Sequence, residues 1–160
     1  MSLILLRTMW LTAAAGLLVA AGAAAQDTAK PSQPAAAATS TPRSPSPPDG
    51  YVYIGWPQDG VLVGKSFKVW FGTRNFGVAP AGVQKTNTGH HHLLIDVPVP
   101  PLDQPIPNDH NHLHFGLGQT ETVVELPPGK HTLQLLMGDA DHVPHDPPLM
   151  SRRITVYVRP

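Results

Sequence analysis

The chain has 160 residues, of which 41% are hydrophobic and 14% charged, with 19 prolines, 14 glycines, nine histidines and no cysteine. Eleven basic residues offset eleven acidic ones, and with no net charge and no basic cluster the chain lacks the phosphate-neutralising surface on which nucleic-acid binding rests. The missing cysteines exclude a disulfide framework, a zinc ribbon, a thiolate copper site, a cysteine nucleophile and a lipidated cysteine anchor.

Arg7 is the only charged residue before Asp27, and Thr8 to Ala25 is a run of apolar or small residues ending in Ala23-Ala24-Ala25. A basic residue, an apolar run and a small-residue cleavage site in that order predict a secretory signal peptide over residues 1–25. The run is Ala-rich and barely long enough to span a bilayer. The mature chain is therefore expected to be periplasmic or secreted, with no stable membrane insertion after cleavage. Residues 26–50 change to Pro, Ala, Ser and Thr and hold no large apolar side chain. Such a composition cannot bury a core and predicts a disordered linker.

Residues 51–160 read as one β domain. Tyr51-Val52-Tyr53-Ile54 forms a first strand and is followed by the turn sequence Trp56-Pro57-Gln58-Asp59-Gly60. Apolar residues then alternate at Phe67, Val69 and Phe71, at His91, Leu93 and Ile95, and between Thr120 and Leu126. The same period of two recurs at His131, Leu133, Leu135 and Met137 and at Ile154, Val156 and Val158. No segment carries a helical period. Six or seven short strands predict an all-β fold: a single antiparallel β-sandwich, immunoglobulin-like in broad architecture, with long Pro/Gly-rich loops. The two longest connections, Thr73–Gly89 and Pro98–Asn111, are where function is expected to reside.

All nine histidines lie in this domain, in four groups: His90-His91-His92, then His110, His112 and His114, then His131, then His142 and His145. On a strand, residues two apart share a face. His90 with His92, and His112 with His114, therefore each present two imidazoles to one side. Two such pairs on neighbouring strands would offer three or four nitrogens to one ion, a donor set suited to Cu(II) or Zn(II). The candidate metal ligands are His90, His92, His112, His114, His142 and His145. Asp96, Asp139, Asp141 and Asp146 are available to orient a ring by accepting its second N–H. His131 follows Pro127-Pro128-Gly129-Lys130 and shares the register of Leu133, which predicts a hydrogen-bonded structural role. His91 shares the register of Leu93 and Ile95 and is equally suited to the core, and His110 is expected in solvent. Trp56, Trp70 and Tyr157 would make a carbohydrate platform only if they fell on one exposed face.

Several stretches resemble a bacterial exported family, the domain of unknown function 4399. They are Gly77–Gly82 (GVAPAG), Gly89–Asp96 (GHHHLLID), His112–Thr122 (HLHFGLGQTET), Leu126–Asp139 (LPPGKHTLQLLMGD), His142–Pro148 (HVPHDPP) and Ser151–Val158 (SRRITVYV). The resemblance implies an extracytoplasmic β domain and carries no catalytic assignment. The family's pattern takes in His90, His91, His92, His112, His114, His131, His142 and His145, and leaves out His110.

These features favour an exported small histidine-rich protein that binds a divalent transition metal, Cu(II) or Zn(II), for storage, delivery or resistance. The alternative is a non-metal ligand-binding or adhesion module of the envelope, with an envelope protein as partner and with structural histidines. No pair of acid and base is placed for catalysis, so an enzyme ranks third.

Overall fold

The computed structural model describes residues 42–160. The expected signal peptide, and the expected linker as far as residue 41, lie outside the described residues. Nine strands are present: β1 (Tyr51–Trp56), β2 (Val61–Val63), β3 (Ser66–Arg74), β4 (Gly77–Val78), β5 (Thr88–Ile95), β6 (His112–His114), β7 (Glu121–Glu125), β8 (Gly129–Gly138) and β9 (Ile154–Val158). Among the described residues there is no helix, and none long and apolar enough to cross a membrane.

The strands form two sheets. One has the order β1-β3-β7; the other runs β2-β9-β8-β5-β4, with β6 also paired to β5. Inward residues of both sheets meet in one core: Val52, Val69, Phe71 and Val124 from the first, and Leu93, Leu133, Leu135, Met137 and Val156 from the second. This is the expected sandwich. The long ladders β1–β3, β3–β7, β5–β8 and β8–β9 are antiparallel. The edge pairs β2–β9 and β4–β5 are parallel, a departure from the antiparallel expectation. These edge strands have three and two residues, too few to show a periodic pattern in the sequence.

The centre of the larger sheet is buried on both sides. Every residue from Gly89 to Ile95 and from Leu133 to Gly138 is buried. One face of β5 and β8 supplies the sandwich core. The opposite face carries Leu94 and Leu136, which pack with Ile106 under the Pro98–Asn111 connection, flanked by Val97, Val99 and Met150. A strand buried on both faces loses the polar half of its alternation, which is why β8 ends in the continuous run Leu135-Leu136-Met137. His90, His92, His112 and His114 belong to this second face.

Arg43 to Gly50, assigned to the linker by composition, lie against the domain. Ser46 donates its amide to the Asp146 carbonyl (3.1 Å), and the Asp146 amide donates to the Ser44 carbonyl (2.9 Å). The segment lacks apolar side chains, and its attachment is made of backbone and polar contacts that composition does not register.

Candidate metal centre

His90 and His92 sit two residues apart on β5, and antiparallel register places His114 of β6 directly opposite His92. His142 comes from the connection after β8, on a residue with φ of 69°. The four rings converge. Ring centroids of His90 lie 4.8 Å from His92, 5.0 Å from His114 and 4.9 Å from His142. His114 is 5.1 Å from His92 and 4.8 Å from His142, and the His92–His142 pair is wider at 6.1 Å. One nitrogen each of His90, His114 and His142 lies within 4.8 Å of the others. Three nitrogens bound to one tetrahedral ion at about 2.0–2.1 Å would be roughly 3.3 Å apart. Closing on an ion therefore needs inward shifts of about 1 Å or less.

The nitrogens are buried without partners. Both ring nitrogens of His90 and of His92, and Nε2 of His114, have no hydrogen-bond partner and no contact with solvent. A buried polar atom left unpaired costs on the order of 1–3 kcal/mol, so five of them in one cluster need a partner, which a water or a metal ion would supply. Both nitrogens of His91 and Nδ1 of His145 are also unpartnered but lie apart from one another. Burial, followed by the neighbouring His142 and His114, pushes the His90 pKa down to about 4. Burial with His90, His114 and His142 around it takes His92 to about 2. Burial and then His142 also lower that of His114. These rings are neutral at physiological pH and keep the lone pairs that ligation requires.

Glycines make room for the rings. A Cβ on Gly116 would stand 2.4 Å from Cε1 and 2.6 Å from Nε2 of His114, and one on Gly138 would stand 2.8 Å from Cε1 of His92. Gly116→Ala should therefore displace the His114 ring and weaken metal binding about tenfold or more while the sandwich stays folded. Metal titration alongside circular dichroism checks this; unchanged affinity would show that the ring is not held by this gap.

The other two candidate ligands point elsewhere. His112 pairs with Leu94 in register, and its Nδ1 hydrogen-bonds Asp109 at 2.9 Å. His145 packs edge-on against Phe76 at 5.0 Å and is buried, with its pKa lowered chiefly by that burial. His91 faces the core and lies 4.7 Å from Phe71, as its register allowed. His131 is structural: Nδ1 donates to Asp96 (2.6 Å) and Nε2 to the Pro127 carbonyl (2.9 Å). Burial opposes protonation of His131, but these hydrogen bonds and the Asp96 charge outweigh it and raise its pKa. His110 is exposed. Of the three aromatic residues, Trp56 and Trp70 face each other across β1 and β3, whereas Tyr157 lies on β9 of the other sheet.

None of the four aspartates is recorded bonding a ring of the cluster. Asp96 holds His131, Asp141 accepts from Gln84 (3.3 Å), and Asp146 pairs with Arg43 (3.2 Å). Asp139 instead builds the turn that presents His142. Its Oδ1 accepts the amides of Asp141 and Val143, both at 3.0 Å, and its carbonyl accepts the His142 amide at 3.0 Å. Spacing could not place His142 with His90, because the turn depends on these bonds and on a left-handed residue.

Among solved structures, the fibronectin(III)-like modules of Clostridium thermocellum CbhA are similar at 10% identity and a TM-score of 0.39, over 68% of this chain and 95% of that one. No curated protein matches. The profile of a family described as "Domain of unknown function (DUF4399)" matches residues 69–159, a span that contains all four converging histidines. The chain belongs to the DUF4399 family.

Proposed function

We propose that the domain binds one divalent transition metal ion, Cu(II) or Zn(II), outside the cytoplasm, through His90, His114 and His142 with His92 as a further donor. The observation that carries this reading is the convergence of these imidazoles, with the ring nitrogens of His90 and His92 and Nε2 of His114 buried and unpartnered. The donor set is all imidazole, with no thiolate, which suits Cu(II) and Zn(II) better than Mg(II) or Ca(II). The leader-like sequence before Gln26 supports export, and the role proposed for such a site is storage, delivery or resistance in the envelope. Delivery would add an envelope protein as acceptor.

Partnered rings mark a structural role at His112 and His131. His91 and His145 also carry buried, unpartnered nitrogens, so the feature that sets the cluster apart is the convergence of its imidazoles. Calorimetric titration of the metal-free protein with Zn(II) and Cu(II) tests the proposal. One ion per chain, removable by chelator and raising the melting temperature, is expected. Binding no tighter than that of a generic polyhistidine peptide would end the metal reading.

A further inference from the structure

The cluster's only ligand from outside a strand is His142, and the turn carrying it is tied to the segment that precedes β1. Ser44 Oγ donates to Oδ2 of Asp139 at 2.7 Å, the carboxylate whose other oxygen gathers the Asp141 and Val143 amides. The Arg43 guanidinium caps the chain just beyond the turn: Nε donates to the Pro144 carbonyl at 3.0 Å, Nη2 to the His145 carbonyl, and Nη1 pairs with Asp146 at 3.2 Å. Pro45 and Asp146 form a parallel bridge, and Ser46 Oγ donates to the Pro147 carbonyl at 2.7 Å. From its other side the turn is held by the Ile106 amide, which donates to the His142 carbonyl at 2.9 Å. Among the described residues no hydrogen bond runs from the segment before β1 to β5 or β6.

We propose that Arg43–Ser46 is a strap that positions His142 for metal, so that affinity and release depend on whether the chain upstream of β1 is docked. The inference rests on the metal reading above. His90, His92 and His114 are placed by strand register and stay where they are when the strap is lost. His142 is placed by a turn whose central carboxylate gives one oxygen to Ser44. Groups that hydrogen-bond a metal ligand typically change affinity by about 10–100-fold when deleted. Ser44 and Arg43 act further out, through Asp139 and the backbone beyond His142, which puts their effect at the low end of that range. Undocking of Arg43–Ser46 would loosen His142 and release the ion without unfolding the sandwich.

The test uses the full chain with Ser44→Ala, Arg43→Ala and the double substitution, and Zn(II) alone as the probe. Chelator competition should give an affinity about tenfold weaker in the double variant, with faster dissociation. Ser44→Thr, which keeps the hydroxyl, should stay near wild type. Hydrogen exchange on the metal-free chains should show faster exchange at the His142 and Val143 amides, with β5 and β8 amides still protected, which confirms folding. A double variant that is less stable yet binds Zn(II) with wild-type affinity overturns the strap while leaving the metal site standing. A wild-type chain that binds no Zn(II) overturns the metal reading, and this inference with it.

Discussion

Replacing His114 by alanine should weaken metal binding by about a hundredfold or more, while replacing His112 by alanine should leave it within about twofold. The two residues are neighbours on the same three-residue strand and share a face, so sequence treats them alike. Register separates them: His114 stands opposite His92, and His112 stands opposite Leu94. The His114 ring lies 4.8–5.1 Å from three other imidazoles, whereas His112 is spent on Asp109. Structural Zn(II) sites contribute about 10–16 kcal/mol in total over four ligands, so one ligand of such a set is worth on the order of 3 kcal/mol, or a factor of roughly a hundred. Titration of the two single variants by competition with a chelator distinguishes them. Equal losses in both would mean that the pair acts together and that the register is wrong.

The metal-free domain should lose stability steeply as pH falls from about 6.5 towards 4. His90 and His91 have folded pKa values of about 4, and His92 of about 2, each lowered first of all by burial from an ordinary 6.5. A folded pKa below the unfolded one means that the unfolded chain takes up protons the folded chain refuses. The stability these groups contribute is therefore complete above pH 6.5 and is lost as pH drops towards the folded values. Each group contributes a slope of about 1.4 kcal/mol per pH unit in that window. Three together give at most about 4 kcal/mol per unit, enough to unfold a domain of ordinary stability of about 5–15 kcal/mol within a few units.

Urea denaturation between pH 7.5 and 4.5 measures this slope directly. A saturating metal ion binds only the folded state and should move the acid transition lower. His91→Leu should reduce the slope by about one proton without touching metal affinity, because His91 faces Phe71 rather than the cluster. Both nitrogens of His91 are buried and unpartnered, so that substitution should leave stability at neutral pH equal or higher. His131 runs the other way: its raised pKa keeps its bond to Asp96 charged below neutrality and weakens it as pH climbs. Stability that stayed flat between pH 7 and 5 would contradict the burial of the cluster.

Much of the architecture was legible in the chain because a strand with one wet face writes its period into the sequence. Phe67, Val69 and Phe71 announce β3 in this way, and Ile154, Val156 and Val158 announce β9. The short edges β2 and β4, of three and two residues, leave no such trace, and neither does their parallel pairing. The strap was illegible for a different reason. Arg43, Ser44 and Ser46 dock through hydrogen bonds to Asp139 and to backbone carbonyls about a hundred positions away, and a Pro-Ser composition is the same whether the segment is docked or free.

Within the site, alternation alone decides that His90 and His92 share a face, since period two is a property of the backbone. Composition alone decides that no metal is held by a thiolate, there being no cysteine. The tertiary structure decides which four of the six candidate histidines become neighbours. Strand register selects His114 over His112. A left-handed turn built on Asp139 brings in His142, while His145, three residues later, is turned against Phe76. Those choices depend on contacts between residues far apart in the chain, and no local pattern encodes a distance between strands.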